Sequence, residues 1–403
     1  MSITAKRHTK DILPLPGDQE VTPTHSNRIP FDKEAYDASC MQYEAATDHN
    51  LLGSDTIIVG GYGASIKVER SALILRSEQA TAKKKIMRLY CGDHTIRQII
   101  ILSDGGYITI DAIQWCVDQD ITVVLLDWKG YLIQVLTPRH PFYARLIYQQ
   151  YVSCQSNLGI EIAREIVHRK TVAQITTLKN LQEERWEVLS GDDDLPFLNH
   201  NRVKKQPASS PWKPLEDGLD KLSRLKDVVA IRMLECSLAH IYWNTFTGYP
   251  ISWDEKVAKS VQTHWQSITG RKSILSRRDG RNAVNPFHAA LNFAYALLEA
   301  QVLISITAMG LDPTCGYLHA NQKGCTNVLV YDLMEPFRAD VDAKVFAFFG
   351  KTTFKKGDFY QVINGECRVN EELRRFIIAT CRIPQDNISG IVNWLVKTLK
   401  KQS

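Results

Sequence analysis

Short, dense runs of β-branched residues fill the sequence from about position 56, and long stretches of helical spacing follow them. Ile57-Ile58-Val59, Ser65–Glu69, Ala72–Leu75, Arg88–Tyr90, Gln98–Leu102, Ile121–Leu126 and Tyr131–Val135 have the length and content of strands. Glycines punctuate them, and Gly60, Gly61 and Gly63 predict a β-hairpin turn. Ile108–Gln119 has helical spacing after the turn pair Gly105-Gly106, so one helix is embedded in a β-rich unit that ends near Pro138. After Pro141 the apolar period changes to that of helices over Phe142–Gln155, Leu158–Leu189, Leu219–Phe246, Trp253–Ile268, Pro286–Met309, Val328–Phe349 and Glu371–Lys400. The polar stretch Gly191–Pro214, with Asp192-Asp193-Asp194 and Lys204-Lys205, reads as a loop.

The pattern predicts an α+β protein in three parts. Residues 1–50 form a poorly ordered extension, 51–140 a small β-rich domain, and 141–403 a large all-α domain. A chain of 403 residues with 44% hydrophobic and 23% charged positions has the material for two cores. The apolar stretch Ala290–Met309 is interrupted by Asn292, Glu299, Gln301 and Ser305, which predicts a buried helix and not a membrane span. The first fifty residues carry Pro14, Pro16, Pro23 and Pro30 and no apolar h-region, so no secretory signal is expected. Nine cysteines without a C-x-x-C pair predict reduced thiols and a cytoplasmic setting, and exclude a zinc knuckle or a thioredoxin-type motif. A net charge of +5 leans toward nucleic acid without establishing it.

Candidate chemistry lies in the helical part. Glu235 shares a helical stripe with Ile231, Leu238 and Tyr242, where a carboxylate is costly unless a cation, donor or metal meets it. The plainer alternative is a salt bridge to an arginine of the next helix. His319 sits in a loop with Asp312-Pro313 and Gly316, after the long apolar helix. Asp332 and Glu335, three residues apart, share a helix face, and carboxylates so close suggest a cation between them. Pro336 directly after them is a candidate helix end or kink. A set of carboxylates and an imidazole suits Mg²⁺ or Mn²⁺. Arg271, Lys272, Arg277, Arg278 and Arg281 form a basic cluster suited to phosphate, and Arg164, Arg169, Lys170 and Lys179 punctuate the long helix; solvated helix faces carry the same pattern. Gly60–Gly63 matches neither G-x-G-x-x-G nor the Walker A pattern.

Taken in order, these segments resemble the Cas-one family of CRISPR adaptation. The resemblance is carried by Val-Gly-Gly-Tyr-Gly-Ala-Ser-Ile-Lys-Val-Glu-Arg from Val59, Ser-Asp-Gly-Gly-Tyr-Ile-Thr-Ile-Asp-Ala-Ile-Gln-Trp from Ser103, and Val-Val-Leu-Leu-Asp from Val123. Arg-Asn-Ala-Val-Asn-Pro-Phe-His follows from Arg281, then Gly-Leu-Asp-Pro before His319, and Tyr-Asp-Leu-Met-Glu-Pro-Phe-Arg from Tyr331. It covers roughly 55–395 and leaves 1–50 unexplained.

The resemblance implies an N-terminal β domain that serves dimerisation and a C-terminal helical catalytic domain. It implies that Glu235, His319 and Glu335 ligate Mg²⁺ or Mn²⁺, with Asp332 as a catalytically important acidic neighbour. Some relatives have aspartate at the position of Glu335. The implied reaction is insertion of short foreign double-stranded DNA into a CRISPR array through attack by a 3′-hydroxyl. The implied partners are a second copy and a dimer of the small protein Cas-two, in a prokaryotic cytoplasm. Two other readings stay open: a transposon-borne integrase of the same family, and a non-catalytic DNA-architectural protein that kept the fold.

Overall fold

The structure is a computed structural model that describes residues 51–52, 55–61, 63–78, 84–102, 105–127, 130–138, 143–190, 210–269, 283–319, 327–362 and 365–401. The extension expected over 1–50 and residues 191–209 of the loop expected over 191–214 lie outside the described residues, and the last two positions of that loop, Lys213 and Pro214, open a helix instead.

The strand region comprises β1 (Leu51–Leu52), β2 (Thr56–Gly60), β3 (Ala64–Glu69), β4 (Ala72–Glu78), β5 (Lys84–Leu89), β6 (Gln98–Leu102), β7 (Gly106–Ile108), α1 (Ile110–Asp118), β8 (Thr122–Leu126) and β9 (Leu132–Leu136). One sheet has the order β1-β2-β6-β8-β9, with β2, β6 and β8 parallel at its centre and antiparallel strands at both edges. Both of its faces are covered, which is why its strands are almost unbroken apolar runs. Ile57, Val59, Ile99, Ile101 and Val123 face a second sheet, and Ile58, Ile100, Leu102, Val124 and Leu126 face the helices. The second sheet has the order β5-β4-β3-β7 and supplies Ile66, Leu73 and Leu75 to the shared core. Helix α1 starts at Thr109, whose hydroxyl accepts the Ala112 N–H at 3.2 Å, and adds Ala112 and Trp115 to that core.

The glycine segment after β2 is not the hairpin turn expected from the sequence. β2 and β3 belong to different sheets, so the chain changes layer between Gly60 and Ala64. Gly61 at φ 96° and Gly63 at φ 86° take backbone that side-chain-bearing residues rarely adopt. Gly106, expected in a turn, opens strand β7 beside β3.

The helical region comprises α2 (Ala144–Cys154), α3 (Asn157–Ser190), α4 (Lys213–Leu222), α5 (Val228–Asn244), α6 (Pro286–Ala308), α7 (Val328–Lys351), α8 (Glu371–Cys381) and α9 (Gln385–Lys400). It is not all-α, because β10 (Phe359–Gln361) and β11 (Cys367–Val369) form an antiparallel hairpin between α7 and α8. The helix expected over 219–246 is broken: Asp227 Oδ1 accepts the N–H groups of Val229 at 2.8 Å and Ala230 at 3.0 Å, capping a new helix. The helix expected over 253–268 is a short helical turn at Glu255–Ala258 and a 3₁₀ turn at Thr263–Trp265. Its aromatic residues build a cluster with Phe354 and Phe359 in place of a helix face. Pro384 splits the helix expected over 371–400. Pro336, in contrast, sits inside α7 without ending it.

Helix α6 passes the length and hydropathy test for a membrane span, yet its most apolar stretch is 78% buried inside the molecule, as its polar interruptions predicted. Asn285 Oδ1 caps it on the His288 N–H at 3.0 Å, with Pro286 at the first helical position. Charged side chains of the C-terminal region fasten onto both sheets: Arg375 Nη2 donates to Ser77 Oγ of β4 at 3.2 Å, and Arg382 reaches Thr56 Oγ1 of β2 and Gln98 Oε1 of β6, both at 2.9 Å.

Candidate metal centre

Three helices and one loop converge on a buried cluster of charge. Helix α5 supplies Glu235, buried on the same stripe as Ile231, Leu238 and Tyr242. Helix α7 supplies Asp332 and Glu335, and α3 supplies Lys170. The loop between α6 and α7 supplies His319.

Lys170 joins the two glutamates. Its ammonium donates to Glu235 Oε1 and forms an ion pair with Glu335 Oε2 at 2.6 Å. Glu235 therefore has a cationic partner, but it is a lysine of an earlier helix and not an arginine of the next one. Burial pulls the Lys170 ammonium down, and the Glu335 and Glu235 carboxylates outweigh it, so the group titrates above its usual range and stays charged. Arg338 closes the other side, its Nε donating to Glu335 Oε1 at 3.0 Å while its guanidinium lies 4.7 Å from the centre of the Tyr295 ring. Burial raises the Glu335 carboxyl, but Arg338 first and Lys170 second hold it at about 2.

Asp332 has a different task from Glu335, although the two share α7. Its Oδ2 accepts the N–H groups of Tyr317 at 2.6 Å and Leu318 at 2.9 Å. Its Oδ1 accepts the His319 N–H at 3.1 Å and lies 2.7 Å from His319 Nδ1. With both oxygens so engaged, Asp332 shapes the loop and orients the imidazole, while Glu335 on the same helix meets Lys170 and Arg338. Gly316 permits this approach, since a Cβ there would stand 2.7 Å from Asp332 Oδ2 and 2.5 Å from Val328 Cγ1. Burial lowers the His319 imidazole, and Asp332, then Glu335 and Glu235, outweigh it and raise it above its usual value. Both glutamates are thus close enough for their charge to reach the ring.

The expected ligands Glu235, His319 and Glu335 are gathered in one region, but not as a finished cage. Among the described residues no group of three His, Cys, Asp or Glu side chains stands ready to hold an ion. Two carboxylates and an imidazole whose Nδ1 is committed to Asp332 nonetheless form a donor set suited to Mg²⁺ or Mn²⁺. The ammonium between the carboxylates marks where positive charge is stabilised. Arg271, Arg277, Arg278 and Arg281 lie outside the described residues.

Sequence reasoning passed over Lys170 as one basic residue among several on the long helix. The signal was present: Ala163, Ile166, Val167, Gln174 and Leu178 are buried on its side of α3, so a charge at 170 interrupts an apolar stripe as Glu235 does. Asp342 was also missed; it is buried and accepts the hydroxyls of Tyr242, at 3.0 Å, and Tyr295. Two cysteines expected to be isolated meet beside the histidine loop, Cys154 Sγ lying 3.1 Å from Cys315 Sγ.

Fold and site together define a mixed α+β protein with a carboxylate–imidazole centre buried between helices. The family model for CRISPR associated protein Cas1 matches residues 57–382. A CRISPR-associated endonuclease Cas1 of Korarchaeum cryptofilum is 26% identical over 293 residues, 72% of this chain and 77% of that protein. The same fold recurs in a casposase bound to integration product, with a TM-score of 0.69 and 23% identity over 87% of this chain and 91% of that one. It recurs again in a Cas6-RT-Cas1–Cas2 complex, with a TM-score of 0.60 and 16% identity over 88% of this chain and 36% of that one. The chain belongs to the CRISPR-associated Cas1 family.

Proposed function

We propose that this chain is a metal-dependent DNA endonuclease and integrase of CRISPR adaptation, which inserts short foreign DNA into the array by attack of a 3′-hydroxyl on a phosphodiester. The observation that carries the reading is the meeting of Glu235 and Glu335 from separate helices around one cation, beside an imidazole held by Asp332. Glu235, Glu335 and His319 would hold Mg²⁺ or Mn²⁺, which when bound polarises phosphoryl oxygens and favours the deprotonated nucleophile. Asp332 fixes the imidazole so that its Nε2 faces away from the carboxylate that holds Nδ1. Arg338 keeps Glu335 ionised, and therefore able to ligate, far into the acid range.

Hydrolysis and strand transfer need the same centre and differ in whether water or a DNA 3′-hydroxyl occupies the attacking position. What selects between them is how firmly the 3′ end is held beside the target phosphate. Arg271, Arg277, Arg278 and Arg281 are the residues we assign to that grip. A second copy docked through the β-rich region, and a dimer of the Cas2 protein, would let the complex hold both ends of a short duplex in the cytoplasm of a prokaryote.

The test supplies short duplexes with free 3′-hydroxyls, a supercoiled repeat-bearing plasmid and Mn²⁺, with and without a Cas2 partner. Joined product should form, vanish with 3′-dideoxy ends, and be absent for Glu235→Ala and His319→Ala. Nicking that is indifferent to blocked 3′ ends, without joined product even with the partner, would reduce the protein to a nuclease.

A further inference from the structure

Lys170 is the charged residue at the centre that the proposed reaction leaves without a task. Its ammonium comes from α3, while the carboxylates it bridges come from α5 and α7, so one side chain ties three helices together at the site. With its side chain buried among apolar neighbours, it cannot be an incidental surface pairing. Arg338 occupies the remaining oxygen of Glu335. Around the two glutamates the charge is matched by buried Lys170 and half-buried Arg338, while the third buried carboxylate, Asp332, is paired with His319 and three backbone N–H groups.

A divalent cation on Glu235 and Glu335 would add like charge directly beside the ammonium on the same oxygens, in a medium of low dielectric, which is strongly unfavourable. One of the resident cations must therefore give way. Arg338 is poorly placed to do so, since its planar guanidinium is fixed at once by Glu335 at 3.0 Å and by the Tyr295 ring at 4.7 Å. Lys170 is well placed, because an ammonium is a point charge on a flexible four-carbon stem whose rotation carries it off both carboxylates. The oxygens it touches, Glu235 Oε1 and Glu335 Oε2, belong to the proposed ligands.

We infer that Lys170 is the resident counter-cation of this centre: it holds Glu235 and Glu335 together in the metal-free protein and is displaced from both when the divalent cation binds. This rests on the metal reading given above. It makes Lys170 a positioning residue that pre-assembles two ligands and weakens metal binding through competition. It also releases a charged donor beside the site at the moment the ion arrives, where the phosphate of a bound DNA strand would accept it.

The test is a calorimetric titration of Mn²⁺, without DNA, into metal-stripped full-length protein and its Lys170→Met variant, with thermal melts of each. The metal-free variant should melt below wild type, because its carboxylates repel unbridged. It should bind Mn²⁺ about 10-fold tighter and gain more in melting temperature on binding. Equal or weaker affinity in a folded Lys170→Met protein, while wild type binds, overturns the exchange and leaves the metal reading intact. No Mn²⁺ binding by either protein overturns both. Should the variant not fold, wild type decides: acylation of Lys170 by an N-hydroxysuccinimide ester, followed by mass spectrometry, should be slow without metal and several-fold faster with Mn²⁺. Equal labelling in the two states overturns the displacement.

Discussion

Between the two sheets, Ile57, Val59, Ile99, Ile101 and Val123 meet Ile66, Leu73 and Leu75 with apolar surface on both sides. Between α3, α5 and α7, buried Lys170, Glu235, Asp332 and Glu335 sit among Ile231, Leu238 and Leu333. Members of the first set act through area and volume, and a smaller neighbour costs only what it fails to fill. Members of the second set act through specific partners, and removing one strands another charge away from water. The sheet core makes the fold stable; the helical centre gives up some of that stability to keep reactive groups in place.

That contrast is sharpest at Asp332. Asp332→Ala removes the acceptor of three loop N–H groups and the anchor of His319. DNA joining should fall about 100-fold, a loss of the size seen when the groups orienting metal ligands are removed. Leu73→Ala is the opposing probe: it should lower stability by about 2–5 kcal/mol in chemical denaturation, yet leave joining per folded molecule unchanged. If the two variants lose activity equally per folded molecule, the division between the cores is wrong.

Acid should distinguish the cores next. Glu335 is held at about 2 against an ordinary 4.5, so its contribution is complete above the ordinary value and is lost as pH falls toward 2. The contribution is on the order of 3 kcal/mol for the metal-free protein. Stability measured in urea from pH 6 downward should fall less steeply for Glu335→Gln than for wild type over that window. A parallel fall would mean that Glu335 is not the charged group its neighbours imply.

Gly316→Ala is a milder probe of the same loop. The new Cβ would crowd the Asp332 carboxylate, so joining should drop about 10-fold with a reduced melting temperature. Mildest of all, Ile99→Val in the sheet core should cost about 1 kcal/mol and change no rate. An activity effect from Ile99→Val larger than that from Gly316→Ala would invert the comparison.

The two regions also differed in how far their sequences could be read. Strands buried on both faces, such as Gln98–Leu102 and Thr122–Leu126, announce themselves as unbroken apolar runs. Their assignment to two sheets was not legible, because the glycines after β2 look alike whether they turn a hairpin or change layers. Helices were read where spacing was regular, and lost where capping decided the boundary, as at Asp227, or where tryptophans packed as a cluster, as at Trp253 and Trp265. Of the candidate site, Glu235, His319, Asp332 and Glu335 were named by type and family motif, and the structure brings them into one region. The division of labour between Asp332 and Glu335 was not, since it depends on which backbone N–H groups the loop turns toward α7. Lys170 lies sixty-five residues before Glu235 along the chain, and only the packing of α3 on α5 and α7 joins them.

The central claim is that Glu235, His319 and Glu335 ligate one divalent ion. Anomalous diffraction from crystals of the metal-stripped protein soaked in Mn²⁺ tests it directly. A single manganese peak about 2.0–2.3 Å from a carboxylate oxygen of Glu235, a carboxylate oxygen of Glu335 and Nε2 of His319 is the predicted result. Manganese bound elsewhere, or the three side chains held apart with Lys170 still between the glutamates at saturating metal, would contradict it.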